Sequence, residues 1–214
     1  MSPPDLTLLH VDDALVVVDK PSGLLAVPGR GPDKQDCLAA RVQARYPDAL
    51  VVHRLDMATS GLMVMARGAA AQRALSIAFA ARALGKRYLA VVAGRPEAPQ
   101  GWGAIELPLI GDWPNRPRQI VDRERGRPSL TRWRVLGEAA GGACSRLELE
   151  PVTGRSHQLR VHLAAIGHPI VGDALYAPPD VQAQASRLLL HAWSLRFAHP
   201  VTGAALEFDC PAPF

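Results

Sequence analysis

Short apolar runs separated by polar turns dominate this chain, and their pattern predicts strands more often than helices. Residues 15–19, which include Val16, Val17 and Val18, are typical, because β-branched side chains favour strands. Gly, Pro, Asp or Asn occupy many of the turns and favour antiparallel pairing, and the proline-rich residues 94–103 are predicted to form a surface loop. The predicted strands are residues 6–9, 15–19, 51–55, 62–66, 88–93, 105–109, 131–136, 146–150, 188–193 and 206–208.

Three segments instead have features of helices. Asp36 and Ser156 are predicted to cap helices over residues 37–46 and 157–166. A third helix is predicted over residues 69–84, with Gly85 following it as the C′ glycine. Its expected buried stripe is Ala74, Ile77, Ala81 and Leu84. Strands outnumber helices and do not alternate with them, which predicts an α+β fold with a mixed, mostly antiparallel sheet flanked by a few helices.

Composition excludes several classes of protein. No apolar run is long enough to span a membrane, and the first residues lack the basic and apolar regions of a secretory signal. The three cysteines, Cys37, Cys144 and Cys210, are isolated from one another in the sequence. This spacing argues against a disulfide framework or a cysteine zinc site, and it is typical of a protein in a reducing compartment such as the cytoplasm.

Positive charge is concentrated in residues 111–134. This segment holds seven Arg against three acidic residues, an excess of +4 that equals the net charge of the whole chain. Trp113 and Trp133 lie among the arginines. Clustered Arg with interleaved aromatic residues is typical of a surface that binds phosphates, although a solvated strand face is the alternative.

Residues 51–67, with the sequence VVHRLDMATSGLMVMAR, place polar and charged residues between two apolar runs. Asp56 alone is most simply a turn former between two strands. A turn does not require Arg54, however, nor the Thr59 and Ser60 that follow. The segment therefore predicts a site at the mouth of a sheet, where an arginine and a carboxylate have a chemical role.

The histidines suggest other chemistry less strongly. His157 and His162 are five residues apart, which places them about 140° apart on a helix and prevents them from binding one metal ion together. Ser60, His157 and Asp56 supply the residue types of a serine hydrolase, but the chain lacks its Gly-x-Ser-x-Gly turn. No P-loop or dinucleotide fingerprint is present either, so neither a metal nor a nucleotide cofactor is expected.

Five segments together resemble, in order, the motifs of the RluA family of RNA pseudouridine synthases. VHRLDMATSGLMVMA resembles the family signature, in which the aspartate is catalytic; relatives more often have Arg where Met57 stands. HRLDMATSG and PLIGDWPNRPRQ are most similar to the small members that act on both ribosomal and transfer RNA. The first, tyrosine, arginine and closing motifs of the family are matched by VVVDKPSGLLAVPG (16–29), GKRYLAVVAG (85–94), PVTGRSHQLRVHLAAIGHPIVGDALYA (151–177) and LLLHAWSLRFAHPVTG (188–203).

The resemblance implies an isomerase that converts specific uridines to pseudouridine in structured RNA, such as a hairpin of 23S ribosomal RNA or a tRNA anticodon stem-loop, without a cofactor. Asp56 is implied to be the catalytic carboxylate, as a nucleophile at C1′ or a base at C2′. Arg160 is implied to keep Asp56 ionised and oriented, and Tyr88 to pack on the uracil and help remove the C5 proton. Arg54 is implied to fill the RNA helix where the target base flips out.

Further residues of the same motifs and of the arginine-rich segment are expected to contact RNA. The complete set of expected substrate-binding residues is Arg54, His53, Arg116, Arg118, Arg155 and His157.

The resemblance also implies the pseudouridine synthase catalytic fold with a central RNA-binding cleft, in a single domain over residues 1–214. A separate N-terminal RNA-binding domain is not expected, because the first motif begins at residue 16. RNA is the expected partner, with no membrane and no obligate protein partner, and the chain is expected to be a cytoplasmic monomer.

A protein of another class remains open, a catalytically inactive RNA-binding module with the same fold. The presence of Asp56, Tyr88 and Arg160 argues against it. The residues do not decide which uridines are modified or which of the two schemes Asp56 follows.

Overall fold

The computed structural model describes residues 6–97, 101–139 and 142–214. The chain divides into two compact units, Met1–Lys86 with Ala192–Pro213, and Arg87–His191 with Phe214. Residues 98–100 of the predicted loop 94–103 lie outside the described residues. The single catalytic domain expected from the sequence stays a prediction.

The first unit is built on a sheet with the strand order β1-β2-β4-β11, to which β3 and β12 add through β4 and β11. The pairs β1–β2, β2–β4, β3–β4 and β11–β12 are antiparallel. Two helices and a 3₁₀ turn at Pro32–Lys34 complete the unit. Its elements are β1 (Thr7–Val11), β2 (Leu15–Lys20), α1 (Leu38–Arg45), β3 (Ala49–Val51), β4 (Ser60–Arg67), α2 (Gly68–Ala80), β11 (Leu190–Ala198) and β12 (Ala205–Asp209).

Burial along the strands explains this order. In β2 and β4 nearly every residue is buried, as expected of central strands that are covered on both faces. β1 and β12 alternate between exposed and partly buried residues and lie at the edges. Gly61 of β4 has a φ of +111°, and a Cβ there would lie 2.3 Å from the carbonyl oxygen of Ala192, so β11 can approach only a glycine this closely.

The second unit is built on a sheet with the strand order β5-β10-β9-β6 and a separate hairpin of β7 and β8. All of these pairs are antiparallel. Its elements are β5 (Gly85–Ala93), β6 (Gly103–Glu106), β7 (Leu109–Gly111), β8 (Gln119–Val121), β9 (Leu130–Glu138), β10 (Cys144–Pro151), α3 (Gln158–Ala165) and α4 (Pro179–Gln182).

One face of the second sheet is covered by α3. Tyr88, Leu149 and Trp133 lie opposite one another on neighbouring strands and therefore point to the same face. Thr131 points the same way, and its Oγ1 lies 2.9 Å from Nδ1 of His162 on α3. Tyr88 thus lies on the sheet face that packs against α3.

The predicted α+β class with a mostly antiparallel sheet and few helices is confirmed. No helix among the described residues is long and apolar enough to cross a membrane. Most predicted strands are present, but the strand predicted over 51–55 ends at Val51, and the one over 105–109 is divided between β6 and β7. In both cases charged residues or a proline lie between the apolar residues of the predicted strand, and the strand ends or divides there.

The predicted helix ends were less accurate. The N-cap of α1 is Cys37, whose Sγ accepts a hydrogen bond from the Ala40 N–H, whereas Asp36 pairs with Arg41. The N-cap of α3 is His157 rather than Ser156.

The predicted extent and stripe of α2 were also wrong. The helix ends at Ala80, and Gly85 begins β5. Ala71 and Leu75 are buried in the core with Leu15 and Val64, whereas Ile77 of the predicted stripe is 59% exposed. The run of alanines permits several apolar stripes, and contact with the sheet decides which one is buried.

Candidate active site

The segment between β3 and β4 forms a loop that ends in a tight turn. The Asp56 carbonyl accepts a hydrogen bond from the Thr59 N–H at 3.1 Å, which makes Asp56 the first residue of a β-turn. Asp56 is half-buried, Arg54 is exposed, and Thr59 and Ser60 are buried. The turn-former interpretation of Asp56 is therefore correct for its backbone.

A buried lysine holds this turn in place. Lys20, at the end of β2, has no exposed surface. Its Nζ donates hydrogen bonds to the carbonyls of Met57 at 3.1 Å, Pro21 at 2.8 Å and Leu24 at 2.8 Å. A buried ammonium group needs several acceptors, and here one of them belongs to the residue directly after Asp56.

Neighbouring groups of the same motif also bind the turn. The Gly23 N–H donates to the Met57 carbonyl at 2.8 Å, and the Ser22 hydroxyl donates to the Ala58 carbonyl at 2.6 Å. No role was predicted for Lys20, although a lysine at the end of a valine-rich strand and directly before a proline is an unusual feature of the sequence. Residues of the family's first motif therefore hold the turn that contains Asp56 through hydrogen bonds.

His53 points inward from the same loop. Its Nε2 accepts a hydrogen bond from the Val64 N–H at 3.1 Å, and its ring stacks on Phe79 with centroids 4.5 Å apart. Burial, with a contribution from the charge of Lys86, lowers the pKa of His53 to about 3. These contacts fix the loop before Arg54, and a substrate-binding role for His53 stays a prediction.

Arg160 lies on α3 in the second unit and has a carboxylate partner that the sequence analysis did not name. Its Nε and Nη2 donate to the two carboxylate oxygens of Asp173 at 2.8 and 2.6 Å, in a bidentate pair buried on both sides. The predicted pairing of Arg160 with Asp56 joins residues of different units and stays a prediction. Asp173 follows Gly172 in the quoted arginine motif, but a contact across 13 residues has no signal in the spacing.

His157, the residue that begins α3, has an unusual backbone. Its φ of 54° is left-handed, a conformation that costs energy for residues other than glycine, although histidine tolerates it better than most. Its Nδ1 lies 2.7 Å from the Tyr176 hydroxyl. Arg155 donates from Nε and Nη2 to the Pro128 carbonyl, each at 3.3 Å. Both predicted RNA-binding residues therefore also have structural contacts.

The hairpin of β7 and β8 presents an aromatic residue and two arginines at its tip. Trp113 is 72% exposed, and the Arg116 guanidinium lies over its ring at 3.1 Å from the centroid. The Arg118 guanidinium lies 5.5 Å from the centroid of the Tyr176 ring. Asp112 accepts a hydrogen bond from the Asn115 amide at 2.9 Å and braces the loop. This tip combines a stacking surface with positive charge, which suits single-stranded nucleic acid.

The remaining arginines of residues 111–134 divide into two groups. Arg125 is paired with Asp122. Arg132 is paired with Glu150 of β10 and Arg134 with the buried Glu148. Arg123 and Arg127 are exposed and make no ion pair within the described part of the chain. The arginines of this segment therefore differ in their ion pairs, and a phosphate-binding role for the segment stays a prediction.

The two histidines considered as metal ligands, His157 and His162, make other contacts. His162 is fully buried and lies within hydrogen-bonding distance of Thr131, Ser129 and the Leu107 carbonyl, and burial lowers its pKa. His157 bonds to Tyr176 instead. Among the described residues, neither histidine belongs to a group with the geometry to hold a metal ion.

Comparisons with known proteins fit these features. Residues 14–165 match the RNA pseudouridylate synthase family. The dual-specificity RNA pseudouridine synthase RluA of Escherichia coli (strain K12) is 50% identical over 211 residues, which are 99% of this chain and 95% of that protein. RluA of Yersinia pestis is 49% identical over 209 residues, or 98% of this chain and 100% of that protein.

Solved structures agree. The structure of Human RNA Pseudouridylate Synthase Domain Containing 1 has a TM-score of 0.81 and 30% identity, and the match covers 100% of this chain and 87% of that one. Human RNA Pseudouridylate Synthase Domain Containing 4 has a TM-score of 0.74 at 24% identity over 97% of this chain and 88% of that one, which is a likeness of fold.

Proposed function

Since the chain belongs to the RluA family of RNA pseudouridine synthases and isomerises uridine to pseudouridine in RNA, we propose that Asp56 is the carboxylate that carries the reaction. The observation behind this proposal is the turn at residues 56–59. Its backbone is held by a buried lysine and two further donors, while Asp56 itself stays half-buried. A catalytic group must be positioned by its surroundings in this way.

The reaction suits a carboxylate. The bond between N1 of uracil and C1′ breaks, the base turns, and a bond from C5 to C1′ forms, while C5 loses a proton and N1 gains one. The sugar carbon becomes electron-deficient when the base leaves, as in glycosidases, and a carboxylate stabilises it by attack at C1′ or assists by removing a proton at C2′. Atoms and electrons balance without an oxidant, a reductant or water.

Tyr88 and Arg160 are proposed to complete the catalytic set. The Tyr88 side chain lies on the sheet face that packs against α3, and Arg160 is anchored on α3 by Asp173. Tyr88 would pack on the uracil and help to remove the C5 proton, and Arg160 would favour the ionised form of Asp56.

RNA recognition is proposed for exposed arginines of both units. Arg54, next to the turn, would fill the helix where the target base flips out, and Arg116 and Arg118 would bind phosphates or bases through the hairpin. Arg155, His157 and His53 are also proposed to contact RNA. The substrates proposed are a 23S ribosomal RNA hairpin and a tRNA anticodon stem-loop, since loops offer unstacked bases and the name of a relative that is 50% identical to this chain includes the words dual-specificity. The protein is proposed to work as a cytoplasmic monomer.

The experiment that tests this proposal follows tritium released from stem-loop RNA that carries uridine tritiated at C5. An isomerase releases tritium and leaves the RNA strand intact, and chelation with EDTA should not change the rate. RNA binding without any tritium release from ribosomal or transfer RNA stem-loops would favour the inactive binding module instead. Mapping pseudouridines in a strain without the gene would then identify the uridines.

A further inference from the structure

Tyr176, in the second unit, contacts both the hairpin of β7 and β8 and the start of α3. Its hydroxyl accepts a hydrogen bond from the backbone N–H of Gln119 at 2.8 Å, and Gln119 is the first residue of β8. The same hydroxyl lies 2.7 Å from Nδ1 of His157, at the start of α3. One side-chain oxygen therefore joins the base of the hairpin to the helix that carries Arg160.

The hydrogen-bonding capacity of a phenol explains why a tyrosine is needed. A tyrosine hydroxyl has one proton to donate and lone pairs to accept. The Gln119 N–H uses a lone pair, and the hydroxyl also lies within hydrogen-bonding distance of Nδ1 of His157. A phenylalanine would leave both partners without this contact, whereas it would keep the shape of the ring.

The ring of Tyr176 makes a separate set of contacts. The Arg160 guanidinium lies 5.0 Å from its centroid, and the Arg118 guanidinium lies 5.5 Å away. The backbone N–H of Tyr176 donates to Oδ1 of Asp173 at 3.2 Å, the same oxygen that accepts from Arg160. The turn that carries Tyr176 is thus built around the ion pair that orients Arg160.

We infer that Tyr176 is a positioning residue that fixes the hairpin of β7 and β8 relative to Arg160. RNA bound by Arg116 and Arg118 would then always have the same position relative to α3, the helix that carries Arg160. The inference rests on the proposed function. The hydroxyl acts on the hairpin, and the ring acts on Arg160, so the two contributions are separable by mutation.

Tyr176→Phe removes only the hydroxyl. It is expected to raise both the Kd for a stem-loop RNA and the KM for tritium release by about tenfold, because the loss of one or two hydrogen bonds has an effect of about this size. The kcat is expected to stay within about twofold, because the ring and the Asp173 pair remain. Tyr46→Phe is the matched control, since its hydroxyl makes no hydrogen bond with a described residue, and it should leave both constants unchanged. Unchanged Kd and KM in Tyr176→Phe, or a loss confined to kcat, would overturn the inference.

A double variant tests whether Tyr176 acts through the hairpin. In an Arg118→Gln background, Tyr176→Phe is expected to raise Kd by less than about threefold, because the contact that it positions is already lost. Fully additive effects would contradict the coupling. Because Kd is measured without turnover, absence of tritium release by the wild-type protein would contradict the proposed function without affecting this test.

Thermal melting checks that the variants fold. If Tyr176→Phe does not fold, two variants of His157 replace it in the test. His157→Leu removes the other partner of the hydroxyl and should raise Kd. His157→Asn should keep Kd near the wild-type value, because asparagine tolerates a left-handed backbone and places a hydrogen-bonding amide near the position of Nδ1. Equal Kd values for the two His157 variants would overturn the inference.

Discussion

The turn at residues 56–59 and the hairpin loop at residues 112–118 both carry charged residues proposed to meet RNA, but the protein holds them differently. The turn receives hydrogen bonds from Lys20, Ser22 and Gly23, and the Lys20 side chain is fully buried. The hairpin loop is exposed, and its loop contacts come mainly from its own residues, such as the bond from Asn115 to Asp112.

The difference matches the demands of the two proposed tasks. Bond making at C1′ requires a carboxylate held to within a fraction of an ångström, and a braced turn provides this. Binding RNA loops requires stacking surfaces and charges that fit more than one RNA, and an exposed tryptophan with neighbouring arginines provides that. The braced turn therefore lies where the chemistry is proposed, and the exposed loop lies where RNA recognition is proposed.

The largest effect is expected from removing the brace of the turn. Lys20→Met leaves the carbonyls of Pro21 and Leu24 without their buried donor and should lower the free energy of unfolding by about 2–4 kcal/mol. It should also lower the rate of tritium release, because the turn after Asp56 loses a contact. Urea denaturation and single-turnover assays measure both effects, with the exposed Lys34→Met as the control. Wild-type stability and rate in Lys20→Met would remove the distinction between the two regions.

A smaller effect, confined to binding, is expected from the hairpin. Changing Arg116 and Arg118 together to Gln should reduce the slope of log Kd against log salt by about 1.4–1.8, since each phosphate contact contributes about 0.7–0.9. Kd should rise for all RNAs alike, with little change in the rate at saturation. Arg125→Gln is the matched control, because Asp122 already pairs with that arginine. An unchanged slope in the double variant would place the phosphate contacts elsewhere.

The smallest effect at neutral pH concerns the loop before Arg54, because it appears only as the pH falls. Burial lowers the pKa of His53 from 6.5 to about 3, so the unfolded chain binds a proton at pH values where the folded one does not. Stability from this group is therefore complete above pH 6.5 and is lost as pH falls towards 3, by about 1.4 kcal/mol per pH unit at most. His53→Gln keeps an acceptor for the Val64 N–H and should flatten this part of the curve. Identical pH profiles for the two proteins would show that His53 is not buried as a neutral ring.

How much the sequence predicts depends on the range of the interaction. The strands over residues 15–19 and 62–66 follow from continuous apolar runs, and the importance of Asp56 follows from charged neighbours that a turn does not need. The end of β3 at Val51 was missed because the predicted strand was extended through His53 and Arg54 to the apolar Leu55. Only the loop contacts of His53 with Val64 and Phe79 show why the strand stops there.

The supporting residues of the site were harder to predict. Asp173 and Lys20 act through contacts with residues far away in sequence, and neither has a spacing that marks its partner. The same is true of Tyr176, which reaches Gln119 across 57 positions. A sequence identifies residue types that chemistry requires, whereas the groups that position them emerge only from the tertiary fold.

The most direct test of this account measures single-turnover tritium release and Kd separately on one stem-loop RNA, for Asp56→Asn and for the Arg116 and Arg118 double variant. Asp56→Asn keeps the shape of the side chain and removes a charge that phosphates repel. The account predicts that its rate falls by more than about a thousandfold, or about 4 kcal/mol in the barrier, while Kd stays within about tenfold. The double variant should show the reverse, a weaker Kd with a nearly normal rate at saturation. Measurable tritium release by Asp56→Asn at a rate near that of the wild type would contradict the claim that the braced turn carries the chemistry.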